Sequence, residues 1–71
     1  MQIQERAPLG QLAAQFGYRL PLRVLSSAAG YYIGTAQDDG PVTRESLEYF
    51  ASREAADEAF ATGRWTQRDH V

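Results

Sequence analysis

The residues of this chain with chemistry to offer are few. They are the adjacent carboxylates Asp38 and Asp39, the pair Glu45 and Glu48, the serines Ser26 and Ser27, a single histidine, His70, and a glycine-bracketed run, Gly-Tyr-Tyr-Ile-Gly, at residues 30–34. Each falls short of what its reaction demands. A calcium loop alternates oxygen ligands over about twelve residues and closes with a bidentate glutamate, whereas Asp38 and Asp39 sit in Gln-Asp-Asp-Gly-Pro, a turn sequence. A dinucleotide fingerprint needs a third glycine and a helix directly behind it, and residues 30–34 have neither. A serine nucleophile needs a base and a strand-turn-helix elbow, yet His70 stands beside the C-terminus. Glu45 and Glu48 would serve as acid and base only in a cleft that raises one of their pKa values. With no cysteine and one histidine, a zinc site would have to be built from carboxylates, which is poor ligand chemistry for that ion. The expectation is a protein without catalytic residues, cofactor or metal.

The elements that would position any site must come from 71 residues, one domain's worth, and a chain this short buries only about 60% of its unfolded surface. Hydrophobic residues make up 44% of it, but 11 of the 71 residues are alanine, which buries little area. The bulky core candidates are Leu9, Leu12, Phe16, Leu20, Leu22, Val24, Leu25, Tyr32, Ile33, Leu47, Tyr49, Phe50, Phe60 and Trp65. So thin a core ordinarily needs a staple, and with disulfides and metal removed, self-association or a partner is left. All seven basic residues are arginine and the net charge is −2, too weak a field of the wrong sign to draw nucleic acid from a distance. No apolar run approaches the ~18 to 20 residues of a membrane span, and the N-terminal Met-Gln-Ile-Gln-Glu-Arg has no signal-peptide pattern. These features, with the absence of cysteine, lead to an expected soluble, cytoplasmic protein.

Along the chain, Leu9, Leu12, Ala13 and Phe16 recur at helical spacing between Pro8 and Gly17, predicting a short N-terminal helix. Residues 20–27 alternate as a strand opened by Pro21, and Ser-Ala-Ala-Gly turns into a β-branched and aromatic run from Tyr31 to Ala36. Asp39-Gly40 is a second turn. Residues 42–50 then read as a third strand, with Leu47 and Tyr49 on one face. A helix capped by Thr43 is the alternative reading. Ser52 caps a final helix with Glu54 in its first turn, Ala55, Ala56, Ala59 and Phe60 on its apolar stripe, and Gly63 at its end. Trp65 would fold back on the core. Residues 1–6 and 66–71 are expected as loose ends. The predicted fold is α+β: a three-stranded antiparallel meander with a short N-terminal helix and a C-terminal helix packed on one face.

Adjacent strand residues point to opposite sides, so Tyr31 and Tyr32 cannot share a face. If Ile33 packs inward, Tyr31 goes with it and Tyr32 is left outside near Arg23 or Arg44; the opposite register exposes Tyr31 and Ile33. Either way the open sheet face carries tyrosine and arginine, residues enriched in binding hot spots, although arginine stems also cover aromatic rings on ordinary solvated faces. Two functions survive. One is a non-catalytic protein-interaction module, an inhibitor or accessory factor of the kind that bacterial mobile elements and phages carry. It would dock either Tyr31, Tyr32, Arg23, Arg44 and Tyr49, or an acidic helix face of Glu54, Asp57 and Glu58 with Glu45 and Glu48 upstream. The other is single-stranded nucleic-acid binding through stacked aromatics.

Overall fold

The structure is a computed structural model that describes residues 8–70. The segment expected as a loose N-terminal end lies outside the described residues. Five elements follow one another: α1 (Gln11–Gln15), β1 (Arg23–Ser27), β2 (Gly30–Gln37), β3 (Gly40–Arg44) and α2 (Arg53–Thr62). The strands form one antiparallel sheet in the order β1-β2-β3, the predicted α+β meander with its two helices. No helix among the described residues is long and apolar enough to cross a membrane.

Both turns follow their local chemistry. Ser27 closes the first, with its Oγ accepting from the Ala29 N–H and donating to the Gly30 carbonyl; Asp38 and Asp39 with Gly40 make the second. In the pairing of β1 with β2, Val24 lies opposite Ile33 and Leu25 opposite Tyr32. Val24 and Ile33 therefore share the inner face and Leu25 and Tyr32 the outer one. Between β2 and β3, Thr35 faces Thr43 and Ala36 faces Pro41, so Val42 is an extra residue that bulges β3.

Ser52 caps α2 by accepting the Ala55 N–H at 3.1 Å, and Gly63 ends the helix at φ 73°, a conformation that costs a side-chain-bearing residue about 1–2 kcal/mol. Ala56 and Ala59 are buried, and their small size lets α2 lie close on the sheet. Leu22, Val24, Ile33 and Ala56 form the core, flanked by half-buried Tyr31, Phe50, Phe60 and Trp65. Trp65 follows the helix end and folds back as predicted. Because it is only half-buried, Trp65→Ala is expected to cost about 2–3 kcal/mol, below the ~3–5 of a fully enclosed ring; urea denaturation would measure it.

Three sequence expectations need correction. First, α1 begins at Gln11 instead of Pro8. Residues 8–10 are extended beside 20–22, with the Gly10 N–H donating to the Leu20 carbonyl and the Leu22 N–H to that of Pro8. The helix is thus only five residues long, and Phe16, expected on its buried stripe, is 60% exposed. Second, the third strand stops at Arg44, and Leu47 and Tyr49 are both exposed. The N–H groups of Glu45 and Ser46 both donate to the Ile33 carbonyl while the Ile33 N–H goes to Ser46 Oγ. Two successive donors on one acceptor end the ladder, and the chain rejoins β2 only where Phe50 bridges Tyr31. Third, residues 66–68 are tied down: the Leu47 N–H donates to the Thr66 carbonyl, the Arg68 N–H to that of Glu45, and Ser46 bridges Gln67.

Candidate functional site

Ending the ladder at Arg44 frees the next residue to turn inward. Glu45 is fully buried, and its carboxylate accepts hydrogen bonds from the N–H groups of Leu12 (2.9 Å) and Ala13 (3.0 Å), from Thr43 Oγ1 (2.7 Å) and from Gln67 Nε2 (2.8 Å). Gly10, at the N-cap of α1, makes no side-chain cap bond. A residue more than thirty positions away does the capping instead. Burial alone would raise the pKa of Glu45, but the Leu12, Thr43, Gln67 and Ala13 donors together outweigh it and hold the carboxyl below its ordinary value. A proton-donating acid needs the opposite shift, so Glu45 is a structural latch joining α1, β3 and the C-terminal segment. Glu48 accepts the Thr66 N–H through both oxygens and is likewise held below its ordinary value, with those bonds overcoming partial burial. Buried Glu45 cannot join an acidic docking face, and the Glu48 carboxylate is engaged with Thr66.

The outer face of the sheet is built differently. Arg23, Gly34 and Arg44 lie abreast across the three strands, with Leu25 and Tyr32 in the next row. Since Gly34 has no side chain, the Tyr32 ring settles beside it, its Cε2 only 3.0 Å from where a Cβ would stand. Residues 45–49 bring Tyr49 over this face, and the two tyrosine rings meet edge to face at 5.9 Å and 78°. The Arg44 guanidinium lies over the Tyr49 ring, 4.6 Å from its centroid, within the range of a cation–π contact. Its Nη1 donates to the carbonyls of Ser46 (2.8 Å) and Leu47 (2.9 Å). Arginine, phenol and phenol therefore form a fixed stack.

Of the residues singled out from sequence, the structure brings together Arg44, Tyr49 and Tyr32, with Arg23 exposed on the same face. Tyr32 is the foundation of the stack and not part of its accessible surface, being 6% exposed against 45% for Tyr49. Burial first, then the neighbouring Tyr49, raise the Tyr32 phenol above its ordinary pKa, with Arg44 partly opposing them. Tyr31 is separated from the group. It goes inward with Ile33, bridges Phe50 and packs on the core. Glu54, Asp57 and Glu58 are exposed on α2, which covers the inner face of the sheet, so they lie on the opposite side from the arginine–tyrosine stack. The Arg53–Asp57 contact, 4.0 Å with both side chains more than half exposed, adds little. It is the one ion pair among the described residues.

Sequence reasoning missed a groove of about 390 Å³ beside the stack, between the end of β3 and the C-terminal segment, lined by Arg44, Leu47, Arg68, Asp69 and His70. Arg68 Nη1 donates to the Arg44 carbonyl at 3.0 Å, and Leu47 is 59% exposed. The only sign of it in the sequence is the pair of arginines, because nothing in residues 64–70 announces that they return to β3. A larger, more open depression of about 600 Å³ lies by the turn between β2 and β3, rimmed by Phe16, Tyr18, Pro41 and Val42. Among the described residues no three acidic or histidine side chains converge as metal ligands. No family model, curated protein or solved structure matches this chain.

Proposed function

We propose that this chain is a small non-catalytic protein-interaction module that acts by binding a larger protein, in the manner of an inhibitor or accessory factor, through the outer sheet face around Arg23, Arg44 and Tyr49. The reading is carried by one observation: an exposed tyrosine clamped between a buried tyrosine and an arginine that has no carboxylate partner among the described residues. A clamped ring and an oriented guanidinium lose little conformational freedom on binding, which is the chief cost of using flexible side chains at an interface. Tyrosine and arginine are also the anchors that hot spots favour. Exposed Leu47 extends the surface on one side.

Single-stranded nucleic-acid binding draws on the same arginines but needs successive open ring faces for stacking. Tyr32 is buried, Tyr31 faces inward, and Arg44 already occupies one face of Tyr49. The acidic exposed face of α2 adds repulsion. A protein surface is the better match.

The test is a charge reversal at an exposed position that carries no structural bond. Arg23→Glu is expected to leave the melting temperature unchanged, as surface substitutions usually do within about 0.5 kcal/mol, and to abolish capture of a specific protein from the source cells by the immobilised chain. Sedimentation would separate a heterologous partner from self-association through the same face. Capture of the same protein by wild type and variant alike would remove this face from consideration, and a monomer that captures nothing would remove the reading itself.

A further inference from the structure

The groove beside the stack has a sign. Its two guanidiniums are not loose surface charges, because each is held by Nη1 on backbone carbonyls: Arg44 on Ser46 and Leu47, Arg68 on Arg44. Among the described residues, the Nε and Nη2 donors of both side chains make no hydrogen bond and no carboxylate comes within ion-pair distance of either. Both residues are half-buried. That anchoring comes from the latch, since the segment bearing Arg68 is brought to β3 by the Arg68 N–H on the Glu45 carbonyl and by Gln67 on the Glu45 carboxylate. Two preoriented guanidiniums with donors to spare match the planar, bidentate geometry of carboxylates. Exposed Leu47 forms an apolar wall of the same groove, and the imidazole of His70 adds another polar group, against one carboxylate at Asp69.

We infer that this groove binds a short acidic segment of a partner protein, carboxylates on Arg44 and Arg68 and an aliphatic side chain against Leu47. The inference rests on the interaction-module reading and supplies the chemistry of the partner. A volume of about 390 Å³ falls at the small end of the ~300–1,000 Å³ typical of ligand sites, so the groove takes a few side chains and not a folded surface. Protein is favoured over nucleic acid because the groove pairs its cations with an apolar wall and holds no succession of rings on which bases could stack.

Fluorescence anisotropy with a labelled peptide of alternating glutamate and leucine, a lysine–leucine peptide of equal length, and labelled oligothymidylate, each at low and high salt, tests this on the full chain. The acidic peptide is expected to bind the wild type, at least tenfold more tightly than either control, with affinity falling as salt rises. Arg68→Gln, which keeps the backbone bonds of residue 68, and Leu47→Ser are each expected to weaken it at least fivefold with melting temperatures near wild type, while Arg53→Gln on the opposite side leaves it unchanged. Equal binding by Arg68→Gln and wild type, preference for oligothymidylate, or no binding of the acidic peptide overturns the inference. If the peptide fails while cellular capture through Arg23 persists, the acidic chemistry alone is wrong; if both fail, the interaction-module reading falls with it.

Discussion

Glu45→Ala is expected to lower the unfolding free energy by about 3–5 kcal/mol, a large part of the roughly 4–10 kcal/mol that a domain of this size possesses. The substitution leaves the N–H groups of Leu12 and Ala13 without their partner and removes one partner each from the Gln67 amide and the Thr43 hydroxyl. Leaving a buried donor unpaired costs about 1–3 kcal/mol, and neighbouring losses of this kind do not simply add. Glu45→Gln separates charge from shape. An amide offers one acceptor oxygen, so its NH₂ must face either the Leu12 or the Ala13 N–H, an obligate donor in both cases, and a penalty near half that of alanine is expected. Urea denaturation checks both values. The pH dependence has a fixed sign. With the folded pKa of Glu45 below its ordinary value of 4.5, the carboxylate's contribution is complete above that value and drains away as pH falls through the folded one. Wild-type melting temperature should therefore drop on acidification below about pH 4.5, and the Glu45→Gln profile should be flatter, with Glu48 supplying what slope remains. Parallel profiles for the two proteins would show that the latch does not act through its charge.

Gly34→Ala is the second expected disruption, at least about 3 kcal/mol, from one added methyl group. A Cβ at this position would run into the backbone carbonyl of Thr43 and press on the Tyr32 ring. The ring can give way, but the carbonyl belongs to β3 and cannot move without parting it from β2. That separation would strain the buried Thr35–Thr43 hydroxyl pair, 2.6 Å apart, and with it the Thr43 bond to Glu45. Chemical denaturation should show the loss, and the near-ultraviolet circular dichroism of the packed tyrosines should change with it. An alanine variant as stable as wild type would mean that the strands are not this close at Gly34.

How much of this was legible depends on how far each interaction reaches along the chain. Ser52 and Ala55 are three residues apart, so the start of α2 was readable from the sequence, as was its end at Gly63. The alternation of Tyr31, Tyr32 and Ile33 follows from strand geometry, and it reduced the placement of two tyrosines to a choice of register. The end of β3, by contrast, depends on Ser46 Oγ reaching Ile33, and the start of α1 on residues 8–10 pairing with 20–22. Local pattern favoured a longer helix and a longer strand, and remote partners overrode both. Glu45 was read as one of a run of surface carboxylates because its identity says nothing about Leu12 and Ala13, more than thirty residues away. The candidate site was legible in kind, tyrosine beside arginine on the outer face, but Tyr31 had to be removed from it and Leu47, Arg68 and His70 added.

Taken alone, the amino-acid order determined the α+β meander, the capped second helix, the scarcity of bulky core and the opposed directions of the paired tyrosines, since each follows from composition or from contacts within a few residues. Only the folded molecule decided which tyrosine is sealed, that a glutamate works as the cap of a distant helix, and that the C-terminal segment returns to set Arg68 beside Arg44. The reason is that these depend on hydrogen bonds closed between segments twenty to more than thirty residues apart, where local propensity carries no information about the partner.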